Sequence, residues 1–166
     1  MRELFEVPEL VAVAIEDEQS GVAFYGTLAM KDWEPAFKEL FTRLREQEKY
    51  HERRFRDMLS AMGDYRPKED YDGEYVAYLR AMTGSRAFPN AVAAAASAKG
   101  CPSPREAIEL ATRFERDTLI LMKELAPLVP PADQSIVEEL AREEQAHLVH
   151  LSDARRLLRP EAAPTT

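Results

Sequence analysis

The sequence predicts an all-α protein, a four-helix bundle with a long crossover between the second and third helices. Apolar residues recur at helical spacing in four long segments, prolines stand at the start of three of them, and the segments form two similar pairs. Of the 166 residues, 45% are hydrophobic and 31% are charged, as in an ordinary globular protein. We expect one domain over residues 1–158, with residues 159–166 as a frayed tail.

Composition excludes several classes of function. The net charge of −8 argues against a nucleic-acid partner or an anionic membrane surface, since both favour a basic face. The N-terminus lacks the order of a signal peptide, and no apolar run approaches the roughly eighteen residues of a membrane span. The single cysteine, Cys101, excludes a disulfide framework, a cysteine-rich zinc module and a rubredoxin-type iron centre within this chain. We therefore expect a cytoplasmic protein.

The first two helices are predicted to form a hairpin. The first begins near Pro8 and runs to about Met30, and the second begins at Pro35 and runs to about Met62. Proline is favoured in the first turn of a helix because its missing N–H has no partner there. The connection between the two helices is short, so they should be antiparallel neighbours.

A crossover over about 63–102 separates this hairpin from the rest of the chain. It opens with the turn residues Asp64 to Pro67, and it contains two helix-prone stretches at Glu74–Met82 and Ala91–Lys99. A helix of about 25 residues is roughly 38 Å long. The crossover is long enough to span that distance, so we expect the third helix to start at the same end of the bundle as the second.

The third and fourth helices form the second predicted hairpin. Ser103 is a candidate N-cap for the third helix, with Pro104 at its first position, and this helix ends before Pro130. Asp133 or a neighbour is predicted to cap the fourth helix, which runs to about Leu158.

Polar side chains interrupt the apolar stripe of each long helix. The second and fourth helices each carry the pattern Glu-x-x-His, which places both side chains on one face. The first and third helices each carry one glutamate in the stripe. The interrupting residues are Glu18, Glu48, His51, Glu115, Glu144 and His147.

The two hairpins repeat the same plan. Glu18 recurs 97 positions later as Glu115, and the Glu-x-x-His that begins at Glu48 recurs 96 positions later at Glu144. Two such hairpins facing each other would bring all the interrupting acids and histidines into the middle of one core.

A cluster of buried acids needs compensation. An unpaired buried charge costs several kcal/mol, and neighbouring carboxylates repel one another. Two divalent cations would balance four carboxylates, and two imidazoles would complete a mixed oxygen and nitrogen shell. Such a shell suits iron or manganese better than zinc. The sequence thus predicts a site for two metal ions, with iron, manganese and zinc all open; a metal-free scaffold with protonated or paired acids is the competing interpretation.

These positions, together with Ala14–Glu18 and the following Phe24-Tyr25, resemble the ferritin-like superfamily of di-iron carboxylate bundles and, within it, the rubrerythrin family. The resemblance covers the four main helices but not the crossover. It implies two iron ions as the cofactor, with Glu48 and Glu144 as bridging or shared carboxylates.

The same resemblance implies roles for the other four residues and an activity. Glu18 and Glu115 would be terminal or bridging carboxylates, and His51 and His147 would each ligate one iron. Family chemistry is oxidation of a ferrous pair by hydrogen peroxide or dioxygen, followed by re-reduction. An oxidoreductase with a role in oxidative stress, and a homodimer, are the corresponding expectations.

Two departures from the family pattern qualify that activity. Full-length rubrerythrins carry a rubredoxin centre, whereas this chain has only Cys101, so electrons must come from an external donor. Peroxide-reducing rubrerythrins also resemble one another in an extra carboxylate one turn after the third-helix glutamate, where this chain has Thr118. A simpler oxidase, a ferroxidase or a non-catalytic iron carrier with the same ligands therefore stays open.

Several other residues are expected to have structural roles. Tyr25 should pack in the core, with a hydrogen bond to a ligand carboxylate as the alternative, and His150 should lie on a helix surface. Solvated faces are predicted for Glu16, Glu46, Asp117 and Glu143. The crossover tyrosines should cover the bundle: Tyr65, Tyr71, Tyr75 and Tyr78. Core or subunit-interface positions are predicted for Phe24, Phe55 and Phe114.

Overall fold

The computed structural model describes residues 6–63, 65 and 73–158. These residues form six helices and no strand: α1 (Val7–Ala29), α2 (Pro35–Met62), α3 (Gly73–Gly84), α4 (Ala91–Gly100), α5 (Pro104–Leu125) and α6 (Pro131–Leu157). The four long helices α1, α2, α5 and α6 form the bundle, and α3 and α4 lie in the crossover, so the predicted all-α fold is confirmed. The predicted turn residues at 64, 66, 67 and 72, Tyr71 and the tail 159–166 lie outside the described residues.

Prolines and local caps set the helix starts. The Ser103 hydroxyl accepts a hydrogen bond from the backbone N–H of Glu106 at 3.4 Å, as expected of an N-cap. The prediction that Asp133 or a neighbour caps α6 is wrong, because Pro130 is the N-cap residue and gives no side-chain cap. Asp133 lies within the first turn, where the positive end of the helix dipole stabilises a carboxylate.

The buried apolar residues form two clusters, one toward each end of the bundle. One cluster contains Met62 and Leu125, at the ends of α2 and α5. The other contains Phe37 and Ala107, near the starts of the same two helices. Helices α2 and α5 therefore run in the same direction, and the crossover returns the chain along the bundle, as predicted.

The crossover helices cover the bundle. Helix α4 packs against α1 and buries Ala94 and Ala98 completely. Helix α3 buries Leu79, and its two tyrosine hydroxyls, from Tyr75 and Tyr78, each donate to a carboxylate oxygen of Glu124 on α5 at 3.0 Å. Tyr65 packs against the same end of the core.

The connection between α3 and α4 is tied to two bundle helices. The guanidinium of Arg86 donates to Asp17 Oδ1 on α1 at 2.7 Å, and the backbone N–H of Ala87 donates to Asp117 Oδ2 on α5 at 2.9 Å. Burial raises the pKa of Asp17 to about 7, although Arg86 opposes that shift. The prediction that Asp117 only faces solvent is therefore wrong, because its carboxylate holds the crossover backbone.

The three phenylalanines predicted to lie either in the core or at an interface lie in the core of this chain. Phe24 and Phe55 are 0% exposed and Phe114 is 2% exposed. Within the described ranges, no helix combines the length and the apolar character needed to cross a membrane.

Candidate metal centre

A layer of buried polar side chains separates the two hydrophobic clusters. Each long helix contributes to it from the middle of its buried face, and all six side chains are 0% exposed. The residues of this polar layer are Glu18, Glu48, His51, Glu115, Glu144 and His147. The structure thus brings together all six positions singled out in the sequence.

The polar layer divides into two overlapping groups, within each of which one oxygen or nitrogen atom per residue lies within 4.8 Å of the others. The first group consists of Glu18, Glu48, His51 and Glu144. The second group consists of Glu48, Glu115, Glu144 and His147. Glu48 and Glu144 belong to both groups, so each group also has one glutamate and one histidine of its own.

Both histidines direct Nδ1 into the carboxylates. His51 Nδ1 lies 2.7 Å from Glu144 Oε1 and 3.5 Å from Glu18 Oε2. His147 Nδ1 lies 3.0 Å from Glu144 Oε2, and 3.2 and 3.3 Å from oxygens of Glu115 and Glu48. The two imidazole rings are nearly parallel, with centroids 5.5 Å apart.

Despite these short distances, many polar atoms of the layer have no hydrogen bond. Both carboxylate oxygens of Glu18, Glu48 and Glu144 are buried without a hydrogen-bond partner, and so is His51 Nδ1. Such unsatisfied groups are costly in a protein interior, and a bound ion would supply the partner that they lack. Oxygen donors with imidazole nitrogen are the ligands that iron and manganese accept. The donor set therefore fits a pair of divalent cations.

Without a cation, protons have to moderate the repulsion between the carboxylates. Burial, reinforced by the charges of neighbouring glutamates, raises the pKa of Glu48 and of Glu115 well above the usual range. Burial also raises the pKa of Glu18 to about 7. For Glu144, burial is outweighed by Glu115 and the two histidines, which hold its pKa below the usual value. The layer thus carries fewer negative charges than its number of carboxyl groups.

Burial has the opposite effect on the pKa values of the histidines, but the neighbouring carboxylates outweigh it. Burial alone lowers the pKa of His51, but contact with Glu144 and Glu18 outweighs it and raises that pKa to about 12. The carboxylates around His147 raise its pKa in the same way. The carboxylates therefore favour the cationic form of both imidazoles in the metal-free protein, which places positive charge where a metal ion would lie.

Gly21 is a functional position that the sequence reasoning missed. A Cβ atom at residue 21 would lie 2.6 Å from Glu48 Oε2 and 2.9 Å from its Cδ and Cγ. The glycine therefore makes room on α1 for the shared carboxylate, and it lies on the buried face of this helix. The sequence did contain a signal for this position. A glycine inside a helix costs about 1 kcal/mol relative to alanine, so its presence there indicates a specific role.

Tyr25 lies one turn after Gly21 on α1, and its side chain reaches the polar layer. It is 0% exposed, and its hydroxyl donates a hydrogen bond to Glu115 Oε1. Burial and the charge of Glu115 raise the pKa of Tyr25 well above its usual value, so the phenol keeps its proton. The structure supports both roles considered for Tyr25, since the side chain packs in the core and also hydrogen-bonds to a carboxylate of the layer.

Removing the Tyr25 hydroxyl should destabilise the metal-free protein. In Tyr25→Phe, Glu115 Oε1 loses its donor inside the core, and we expect a loss of about 1–3 kcal/mol in the free energy of unfolding. Urea unfolding of metal-free samples measures it. Tyr50→Phe is the matched control, because the Tyr50 hydroxyl accepts from Arg54 at 3.2 Å in a contact that is only partly buried. Equal stability of the two variants would contradict the role given to Tyr25.

The structure also corrects the prediction made for Glu143. A solvated face is predicted for it, but its side chain is only 32% exposed and its Oε2 lies 2.8 Å from His51 Nε2. The contact joins residues 92 positions apart, so helix periodicity on α6 gave no sign of it. By contrast, Glu16 and Glu46 are 58% and 54% exposed, as predicted.

Two further positions lie next to the layer. Thr118 is 1% exposed, and its hydroxyl donates to the carbonyl oxygen of Phe114 at 3.2 Å within α5. His150 is partly buried, and burial lowers its pKa. Neither residue belongs to the two groups of potential metal-binding side chains.

Comparison with known proteins agrees with this architecture. A model of the rubrerythrin family matches residues 9–154. A crystal structure from Thermotoga maritima, described as a ferritin-like diiron-carboxylate protein, has the same fold, with a TM-score of 0.70 and 24% sequence identity over 94% of this chain and 98% of that chain. No curated protein gives a significant match. Because the family match spans the four long helices and the whole polar layer, this chain belongs to the rubrerythrin family.

Proposed function

We propose that this chain is a di-iron oxidoreductase that oxidises a ferrous pair with hydrogen peroxide or dioxygen. The observation that carries the proposal is the pair of overlapping groups, in which Glu48 and Glu144 are shared and each group keeps its own glutamate and histidine. Shared carboxylates place two cations next to each other, which is the arrangement of di-iron carboxylate bundles.

Each residue has a role in this proposal. Glu48 and Glu144 would bridge the two ions. Glu18 and His51 would complete the ligands of one ion, and Glu115 and His147 those of the other. When bound, the iron pair supplies the electrons for reduction of a small oxidant. The hydrophobic clusters on both sides keep bulk water out of the layer, and the Tyr25 hydroxyl holds Glu115 by a hydrogen bond.

The surroundings favour a ferroxidase or a simple oxidase over efficient peroxide cycling. Thr118 offers no carboxylate one turn after Glu115, and its hydroxyl is bonded to the backbone of its own helix. The one cysteine of this chain cannot form a rubredoxin centre, so the electrons for re-reduction would come from an external donor. The same two features support a non-catalytic iron carrier as the second candidate.

Anaerobic reconstitution with ferrous iron separates these candidates. The enzyme should bind about two irons per chain and should show rapid absorbance changes in the near ultraviolet when hydrogen peroxide or dioxygen is added. Repeated consumption of oxidant with a supplied reductant is expected only of the enzyme. The same stoichiometry without turnover would support the carrier, and failure to retain iron would overturn both.

Metal binding should release protons and weaken as the pH falls. The pKa of His51 is raised to about 12, and those of His147, Glu48 and Glu115 are also raised, so these groups hold their protons more strongly in the metal-free protein than free side chains do. A bound cation needs the deprotonated forms, so raising the pH favours binding. Calorimetric titration with Mn²⁺ in buffers of different ionisation enthalpy measures the protons released. An affinity independent of pH between about 6 and 8 would contradict the assignment.

A further inference from the structure

The two histidines of the polar layer differ in the hydrogen-bond partners of their Nε2 atoms, which lie on the outer side of the layer. Each directs Nδ1 toward the carboxylates, so Nε2 faces away from the layer. His51 Nε2 lies 2.8 Å from Glu143 Oε2, whose side chain is partly exposed. His147 Nε2 is buried and has no hydrogen-bond partner among the described residues.

The internal repeat shows where this difference arises in the sequence. Glu143 directly precedes Glu144, and the residue 96 positions earlier, directly before Glu48, is Gln47. Gln47 carries no charge, and its Oε1 is buried without a hydrogen-bond partner. One copy of the repeat therefore supplies a carboxylate to the opposite histidine, whereas the other copy has an amide that makes no such contact.

This difference matters for metal binding. A histidine that binds a metal through Nδ1 must carry its proton on Nε2. A carboxylate that accepts this proton fixes the tautomer and the ring orientation and makes Nδ1 a better electron donor. His51 has that support from Glu143, and His147 lacks it.

We propose that the two halves of the site bind metal unequally, with the half formed by Glu18 and His51 tighter because Glu143 positions His51. This inference rests on the proposed di-metal function. Glu143 acts through His51 and is a positioning residue. The half formed by Glu115 and His147 is the weaker one, and it is the half that fills last and empties first.

Variants that keep only one half of the site test this proposal directly. Glu115→Ala leaves the half with His51, and Glu18→Ala leaves the half with His147. Co²⁺ is a suitable probe, because its visible absorption reports binding without redox chemistry and competition with a chelator gives the Kd. We expect the Kd of Glu115→Ala to be about 10–100-fold lower than that of Glu18→Ala.

Further variants remove the carboxylate of Glu143 from one half of the site or add a carboxylate at Gln47 to the other half. Adding Glu143→Gln to Glu115→Ala should raise the Kd by about 10–100-fold, whereas Gln47→Glu should lower the Kd of Glu18→Ala. Glu139→Gln is the matched control, since it makes the same change of charge at an exposed position one turn earlier on α6. Far-UV circular dichroism of each variant checks folding.

The outcomes separate this inference from the proposed function. Wild-type protein that binds no Co²⁺ contradicts the di-metal function itself. Wild-type protein that binds about two ions, with Glu143→Gln and Glu139→Gln acting alike in the single-half variants, overturns only the role of Glu143. A selective loss with Glu143→Gln, restored by Glu143→Asp, supports it.

Discussion

Replacing Glu144 with glutamine should reduce the iron content from about two ions per chain to less than about one. Glu144 belongs to both groups of the polar layer, and its two oxygens lie 2.7 and 3.0 Å from His51 and His147. The amide has nearly the same shape but loses the negative charge and one acceptor oxygen, so neither position keeps its shared ligand. Iron analysis after anaerobic loading and desalting measures the loss.

Glu46→Gln is the control for this experiment. Glu46 lies on α2, is 54% exposed and pairs with Arg45 and Lys49, so its replacement removes the same charge from a solvated face of the bundle. We expect its iron content to match that of the wild type. Retention of both ions by Glu144→Gln would show that Glu144 does not bridge, and the di-iron arrangement proposed above would be wrong.

Gly21→Ala should weaken metal binding even though alanine favours helices. The new Cβ would lie 2.6 Å from Glu48 Oε2, closer than real Cβ contacts, so the buried carboxylate has to move. Because Glu48 is shared by both groups, its displacement disturbs both positions at once. We expect iron content below half of the wild-type value and a lower free energy of unfolding, measured by iron analysis and urea unfolding.

Gly26→Ala, on the same helix, should leave metal binding unchanged. Its Cβ would lie 3.3 Å from Cδ of Arg45, a flexible side chain that can move aside. This variant should keep its iron and gain about 0.5–1 kcal/mol of stability from the higher helix propensity of alanine. Similar behaviour of the two variants would contradict the role assigned to Gly21.

The sequence was sufficient for the fold and for the composition of the polar layer, because both depend on local periodicity. A stripe repeated at helical spacing identifies the buried face of each helix, and an acid or histidine within that stripe is buried wherever the helix packs. The repeat at 96 and 97 positions placed the four stripes at matching heights. Glu18 and Glu115 were identified from their positions in the apolar stripes together with this repeat.

Contacts between helices could not be predicted in the same way. The approach of Glu143 to His51 depends on how α6 sits against α2, and a partly exposed glutamate gives no periodic signal. The close approach of Glu48 to Gly21 depends likewise on the spacing of α1 and α2. Periodicity reports which face of one helix is buried, but it carries no information on which atoms of another helix lie opposite.

The amino-acid sequence by itself determined the helical class, the two hairpins with their crossover, and the acids and histidines of the buried seams, since each follows from spacing along one helix. Only the tertiary structure decided that Nδ1 of both histidines faces the carboxylates and that Glu143 supports one histidine alone. These features depend on distances between side chains far apart in the chain, which the packing of the helices fixes.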